Sequence, residues 1–97
     1  MFTSKQRANL KSLASTMKPV GQVGKEGISE NLVESLSNAL ETRELIKVNL
    51  LPAAGEDAEN VAVNLAELLH AELVAVIGRK AIFYRYSHKE KIEHIAY

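Results

Sequence analysis

A chain of 97 residues with 12 basic and 12 acidic side chains and no cysteine is one domain's length, and it must fold without disulfides or thiolate metal ligands. Hydrophobic residues make up 46% of it, enough to build a core and to exclude disorder over most of its length. Charge breaks every apolar run within a few positions, and Met1-Phe2-Thr3-Ser4-Lys5-Gln6 does not open a signal-peptide core, so a soluble cytoplasmic protein with no membrane partner is expected.

Thr3 followed by Gln6 has the form of a capping box, and Leu10, Leu13, Ala14 and Met17 recur behind it at helical spacing, which predicts a first helix ended by Pro19. With that stripe turned to the core, Lys5, Arg7 and Lys11 face solvent. Val20, Gln22 and Val23 form a short strand that stops at Gly24. Ile28 before Ser29, with Val33 beyond, resembles a hydrophobic staple around an N-cap, and Leu32, Leu36, Ala39 and Leu40 give the second helix its buried stripe. The run Leu45-Ile46-Lys47-Val48-Asn49-Leu50 alternates from Ile46 onward and is read as a strand.

Residues 52–55 form a loop, and Val61, Leu65, Leu68 and Leu69 set the face of a third helix up to about His70. Two apolar runs, 73–77 and 81–86, flank Gly78-Arg79-Lys80 and are read as a hairpin. Residues 88–97 are polar, with little to bury, and are expected to be a flexible tail beyond a domain of residues 1–87. The order αβαβαββ predicts an α/β fold, a two-layer sandwich with a four-stranded mixed sheet whose first strands are parallel and whose last hairpin is antiparallel. Helical periodicity leaves open whether the helices cover one face or both.

Net charge is zero, but the charges are segregated. Lys5, Arg7, Lys11, Lys18 and Lys25 precede the first acid, Glu26; Glu56, Asp57, Glu59, Glu67 and Glu72 follow one another with no base between. Arg79, Lys80, Arg85, Lys89 and Lys91 then restore the positive sign. Such a chain either folds into a bipolar molecule with one face suited to phosphates or merely solvates its surface.

The sharpest local feature is Gly24-Lys25-Glu26-Gly27 between a strand and a capped helix. Glycines at both ends let a sugar-phosphate chain approach, the helix offers free N–H groups, and Lys25 adds a charge: the G-x-x-G clamp of KH domains. A tight βα turn needing glycine only to reverse the chain is the alternative. It is not a P-loop, because Glu26 stands where a magnesium-binding hydroxyl is required. Arg79 and Lys80 at the hairpin tip are further phosphate-facing candidates, or an ordinary turn with solvated charge. His70, His88 and His94 lack metal-ligand spacing and no nucleophile and base can be paired, so no enzyme, metal, cofactor or small-molecule substrate is expected.

Thr3-Ser4-Lys5-Gln6-Arg7, Val23-Gly24-Lys25-Glu26-Gly27-Ile28, Arg43-Glu44-Leu45-Ile46-Lys47-Val48 and Val76-Ile77-Gly78-Arg79 together resemble the bacterial YhbY-like proteins, the stand-alone form of the CRM domain, the chloroplast RNA splicing and ribosome maturation module. The resemblance runs from about Thr3 to Tyr86. It implies a fold similar to the C-terminal domain of a bacterial translation initiation factor with an extra N-terminal helix, and association with large-subunit ribosomal RNA precursors. By the resemblance, the RNA-binding loop falls on Gly24, Lys25 and Gly27, and the basic helix surface on Lys5, Arg7, Lys11 and Lys18. Gly21 departs from the bulkier residue common there and should weaken the first strand. The alternative from another class is a protein-interaction module docking a basic ribosomal protein or enzyme on the acidic segment.

Overall fold

The computed structural model describes residues 2–55, 57–90 and 92–97. Glu56, at the head of the acidic stretch, Lys91 in the tail and Met1 at the start lie outside the described residues.

Helix α1 (Ser4–Ser15) opens on the expected capping box: Thr3 Oγ1 accepts the Gln6 N–H at 3.1 Å and Gln6 Oε1 accepts the Thr3 N–H at 3.0 Å. It stops before reaching Pro19, where Ser15 Oγ donates to the Ser12 carbonyl at 2.6 Å and competes with the helical ladder. Strand β1 (Gly21–Val23) is only three residues long. A Cβ on Gly21 would stand 3.2 Å from Leu36 Cδ2, so the departure lets the following helix approach closely. Helix α2 (Glu30–Arg43) is capped by Ser29, whose side chain accepts the Leu32 N–H.

Strand β2 (Leu45–Leu50), a single 3₁₀ turn (Pro52–Ala54) and helix α3 (Ala58–Leu69) follow, the last capped by Asp57 and ended by His70 in the left-handed conformation. Strands β3 (Glu72–Ile77) and β4 (Lys80–Tyr84) form the hairpin. The sheet order is β1-β2-β4-β3, with β1 parallel to β2 and the other pairs antiparallel. That is the expected mixed sheet.

Side-chain alternation divides the core. Ile46, Val48, Leu50, Ala81 and Phe83 face Leu36 and Leu40 of α2 and Leu65 and Leu69 of α3. Leu45, Ile82 and Tyr84 point the other way and meet Leu10 and Ala14 of α1. Helices therefore cover both faces: α2 and α3 make the sandwich, and α1 packs apart from them on the opposite side of the sheet.

The segment after residue 87 has more to hold than its polarity suggested. Ser87 is buried, Ile95 packs against the α1-side core, and Tyr97 closes a trio of edge-to-face rings with Phe2 and Tyr84 at centroid distances of 5.0 and 5.1 Å. The cause is a buried acid. Glu44, at the end of α2 with φ 64°, accepts the Ser87 N–H at 2.8 Å and the Ile95 N–H at 2.9 Å, and its Oε2 stands 2.7 Å from His94 Nδ1. Among the described residues no helix is long and apolar enough to cross a membrane.

Candidate nucleic-acid interface

The glycine loop leaves β1 at the end of the sheet where the hairpin turns. Val23 is in register with Leu50, the Leu51 N–H donates to the Val23 carbonyl at 2.9 Å, and the Leu50 N–H donates to the Arg79 carbonyl at 2.7 Å. The Gly24–27 loop and the Gly78–Lys80 tip thus flank the end of β2 from opposite sides, which brings Lys25 and Lys80 to one end of the molecule.

Within the loop the Gly27 N–H donates to the Gly24 carbonyl at 2.9 Å, closing a turn, and Gly27 has a φ of 73° that only glycine adopts at little cost. A Cβ on Gly24 would meet only Leu51 Cδ1 at 3.7 Å, an ordinary contact. Packing therefore does not require glycine at position 24. The loop and Gln22, Ser29 and Leu32 line an open depression of about 400 Å³. Lys25 and Glu26 are both exposed at it.

The first helix delivers part of its expected basic surface. Lys5, Lys11 and Lys18 are exposed. Arg7 is not presented to solvent as expected: its Nη1 donates to the Leu73 carbonyl at 2.8 Å and also to the Val74 carbonyl. The reason is that β3 is an edge strand, whose outward carbonyls need donors. Lys5 is near that end of α1, where Phe2 meets Tyr84 at 5.3 Å, while the Gly24–27 loop lies at the other end of the sheet. Lys11 lies further along α1 and shares a cavity with Lys80.

Arg79 is largely occupied by backbone. Nε donates to the Leu50 carbonyl at 2.6 Å, and Nη2 donates to the carbonyls of Leu51 and Gly55 at 3.1 and 2.6 Å, which pins the 3₁₀ turn to the hairpin. Arg85 projects to the side of the sheet opposite Tyr84 and donates to the Leu69 carbonyl and to Ser37.

The sheet separates most of the charges, although Glu72, in register with Tyr84, lies on the α1 side. Residues 4–25, β2 and β4 contain no carboxylate, and the side of the sheet that carries α1 holds Lys11, Lys47 and Lys80 around one cavity. Exposed Glu30, Glu34, Glu59 and Glu67 belong to α2 and α3 on the opposite side. Sequence reading passed over Lys47 as a site residue. Its signal was its phase: Lys47 is two residues from Leu45, and so shares the α1 face rather than the Ile46 and Val48 face.

Glu44 is the other group with an altered environment. Burial pushes its carboxyl upward, but the N–H groups of Ser87 and Ile95 and the His94 ring together outweigh it and hold the carboxyl below its ordinary value. Tyr84 moves upward through burial, with Tyr97 and the Glu44 charge adding to it. Among the described residues no group of three His, Cys, Asp or Glu side chains could hold a metal ion.

Residues 2–85 match the CRS1 / YhbY (CRM) domain. The chain is 40% identical over 91 residues to the Probable RNA-binding protein YqeI of Bacillus subtilis, covering 94% of this chain and 95% of that one. It is 33% identical over 92 residues to a Haemophilus influenzae protein named RNA-binding protein, covering 95% and 93% of the two chains. The solution structure of SAV1595 from Staphylococcus aureus superposes with a TM-score of 0.78 at 44% identity, covering 96% of this chain and 98% of that one. With a match over nearly its whole length and relatives of its own size, this chain belongs to the CRS1 / YhbY (CRM) domain family.

Proposed function

We propose that this protein binds RNA without catalysing a reaction on it, and that its target is large-subunit ribosomal RNA in precursor particles, in the cytoplasm. The Gly24–27 loop grips the sugar-phosphate chain and Lys5, Lys11, Lys18, Lys25 and Lys80 extend the contact. Arg7 and Arg79 support the surface from behind, holding β3 and the 3₁₀ turn in place.

One observation carries this reading: Lys11, Lys47 and Lys80 stand around one cavity on the α1 side of the sheet whose lining holds no carboxylate, while exposed Glu30, Glu34, Glu59 and Glu67 lie on α2 and α3. A molecule polarised in this way presents one side to a polyanion even though its net charge is zero. The names of the relatives, RNA-binding proteins in two bacteria, agree with it. Binding through ammonium groups and a glycine backbone favours RNA shape over base sequence.

The test is a sucrose-gradient profile of tagged protein. Comigration with immature large subunits is expected; a profile confined to the top of the gradient, together with no salt-dependent affinity for ribosomal RNA, refutes the reading. A second reading has its own observation: Leu68 is 53% exposed beside a groove lined by Ile28, Val33 and Glu34 on the acidic side. A basic protein partner would dock there, and association with ribosomal proteins that survives complete ribonuclease digestion would favour it.

A further inference from the structure

Lys47 is only 8% exposed, yet it is a cation on the central strand β2. The stem is what is covered: among the described residues no buried side-chain nitrogen lacks a partner, so the unpaired ammonium opens onto the cavity that Lys47 lines. Among the described residues the two ion pairs are Arg85 with Glu41 and His94 with Glu44, and Lys47 takes part in neither.

The surroundings add charge of the same sign. Lys47 is in register with Ile82, and Asn49 with Lys80, so Lys47 and Lys80 are diagonal neighbours on one face of the sheet. Lys11 and Ser15, one helical turn apart on α1, close the other side. Together with Ile77 and Ile82 these groups line a cavity of about 220 Å³ that is open to solvent, since Lys11, Ser15, Ile77 and Lys80 are exposed. Three lysines around a small, partly apolar cavity repel one another, and an apolar residue at position 47 would pack there without that penalty.

We propose that Lys11, Lys47 and Lys80 form a phosphate pocket between α1 and the sheet, which seats one phosphodiester group of the bound RNA. The proposal rests on the RNA-binding reading and adds a second anchor, distinct from the glycine loop. Phosphate suits the site because it offers several anionic oxygens to three point-charge donors. Buried Ile82 gives the pocket an apolar floor, which strengthens those contacts on that side.

The pocket is also joined to the loop. Lys80, Asn49 and Gln22 are in register across β4, β2 and β1, and Gln22 lines the Gly24–27 depression. Successive phosphates of one strand can therefore step from the lysine pocket across this polar row to Lys25.

The experiment has two arms, each run on wild type, Lys47→Met and Lys80→Gln. Methionine keeps an unbranched stem in the core, and Lys80 is exposed, so folding of the second variant does not depend on the cavity. In the first arm, inorganic phosphate is titrated while backbone amide resonances are followed. Saturable shifts at residues 47, 80 and 82 are expected in wild type and are lost in both variants; their absence in wild type overturns the pocket.

In the second arm, ribosomal RNA affinity is measured against salt. Each variant should bind about fivefold more weakly and with a slope shallower by about 0.7 to 0.9. Phosphate shifts combined with unchanged RNA affinity and slope in both variants would overturn the RNA as the source of the phosphate and leave a site for free anions. If wild type binds no RNA while the phosphate shifts saturate, the RNA-binding reading falls and the pocket stands as an anion site alone.

Discussion

The Oε2 atom of Glu44 stands 2.7 Å from Nδ1 of His94, a contact across 50 positions of sequence that ties the end of α2 to the C-terminal segment. An ionised carboxylate is acceptor-only, so the histidine Nδ1–H donates. Glu44 is fully buried, and each of its oxygens also receives a backbone N–H, from Ser87 and from Ile95.

Glu44→Gln is expected to destabilise the fold by about 1–3 kcal/mol, because an amide NH₂ cannot accept from the donors aimed at it. The pH dependence follows from the sign of the shift. The folded carboxyl lies below the ordinary value of 4.5, so its stabilisation is present above pH 4.5 and is withdrawn as pH falls through the lower folded value. Urea midpoints followed by circular dichroism from roughly pH 3 to about pH 6, an interval that brackets the titration of a carboxylate, check this. The variant should show a flatter acid limb than wild type, and equal limbs would refute the assignment.

Arg79→Lys preserves charge but gives up the planar fork that reaches the carbonyls of Leu50, Leu51 and Gly55. A loss of about 1–2 kcal/mol is expected from these bonds. Affinity of the folded fraction for RNA should stay within about twofold, since the positive charge remains. A variant as stable as wild type but defective in binding would return Arg79 to direct RNA contact.

These arginines mark the boundary of what the sequence made legible. Thr3 with Gln6, Ser29 with Ile28 and Val33, and the alternation through Ile46 and Val48 are local signals, and each produced the expected element. The charge segregation was also visible, because it needed only the order of residues. Arg7, Arg79 and Arg85, by contrast, end on carbonyls between 16 and 67 positions away, and no local pattern distinguishes a cation that caps an edge strand from one left to a ligand. Nothing local singles out Glu44; its burial comes with the contacts from Ser87, His94 and Ile95 far along the chain.

The two glycines of the loop should behave differently. Gly27→Ala must hold a φ of 73° and is expected to lose about 1–2 kcal/mol. Gly24→Ala meets Leu51 Cδ1 at 3.7 Å and should leave stability within about 0.5 kcal/mol. If the RNA backbone lies against the loop, Gly24→Ala weakens binding in a fully stable protein, a separation that melting curves and affinities measured on the same samples reveal. Unchanged affinity would reduce the loop to a chain reversal.

Salt dependence can sort the basic residues one at a time. Lys18 and Lys25 are exposed, with no ion pair among the described residues. If each neutralises a phosphate, Lys18→Gln and Lys25→Gln should each make the slope of log affinity against log salt shallower by about 0.7 for single-stranded RNA, and by about 0.9 if the duplex value for DNA carries over. Arg7 and Arg85 spend their guanidinium donors on Leu73, Val74, Leu69 and Ser37. Arg7→Gln and Arg85→Gln should therefore lower the urea midpoint while leaving the slope near the wild-type value. The contrast between the two groups is the decisive quantity, because a general loss of positive charge would flatten all four slopes alike. Were Arg7→Gln to flatten the slope as much as Lys25→Gln, the guanidinium would have to leave the β3 carbonyls on binding, and α1 would shift against the sheet to meet the RNA.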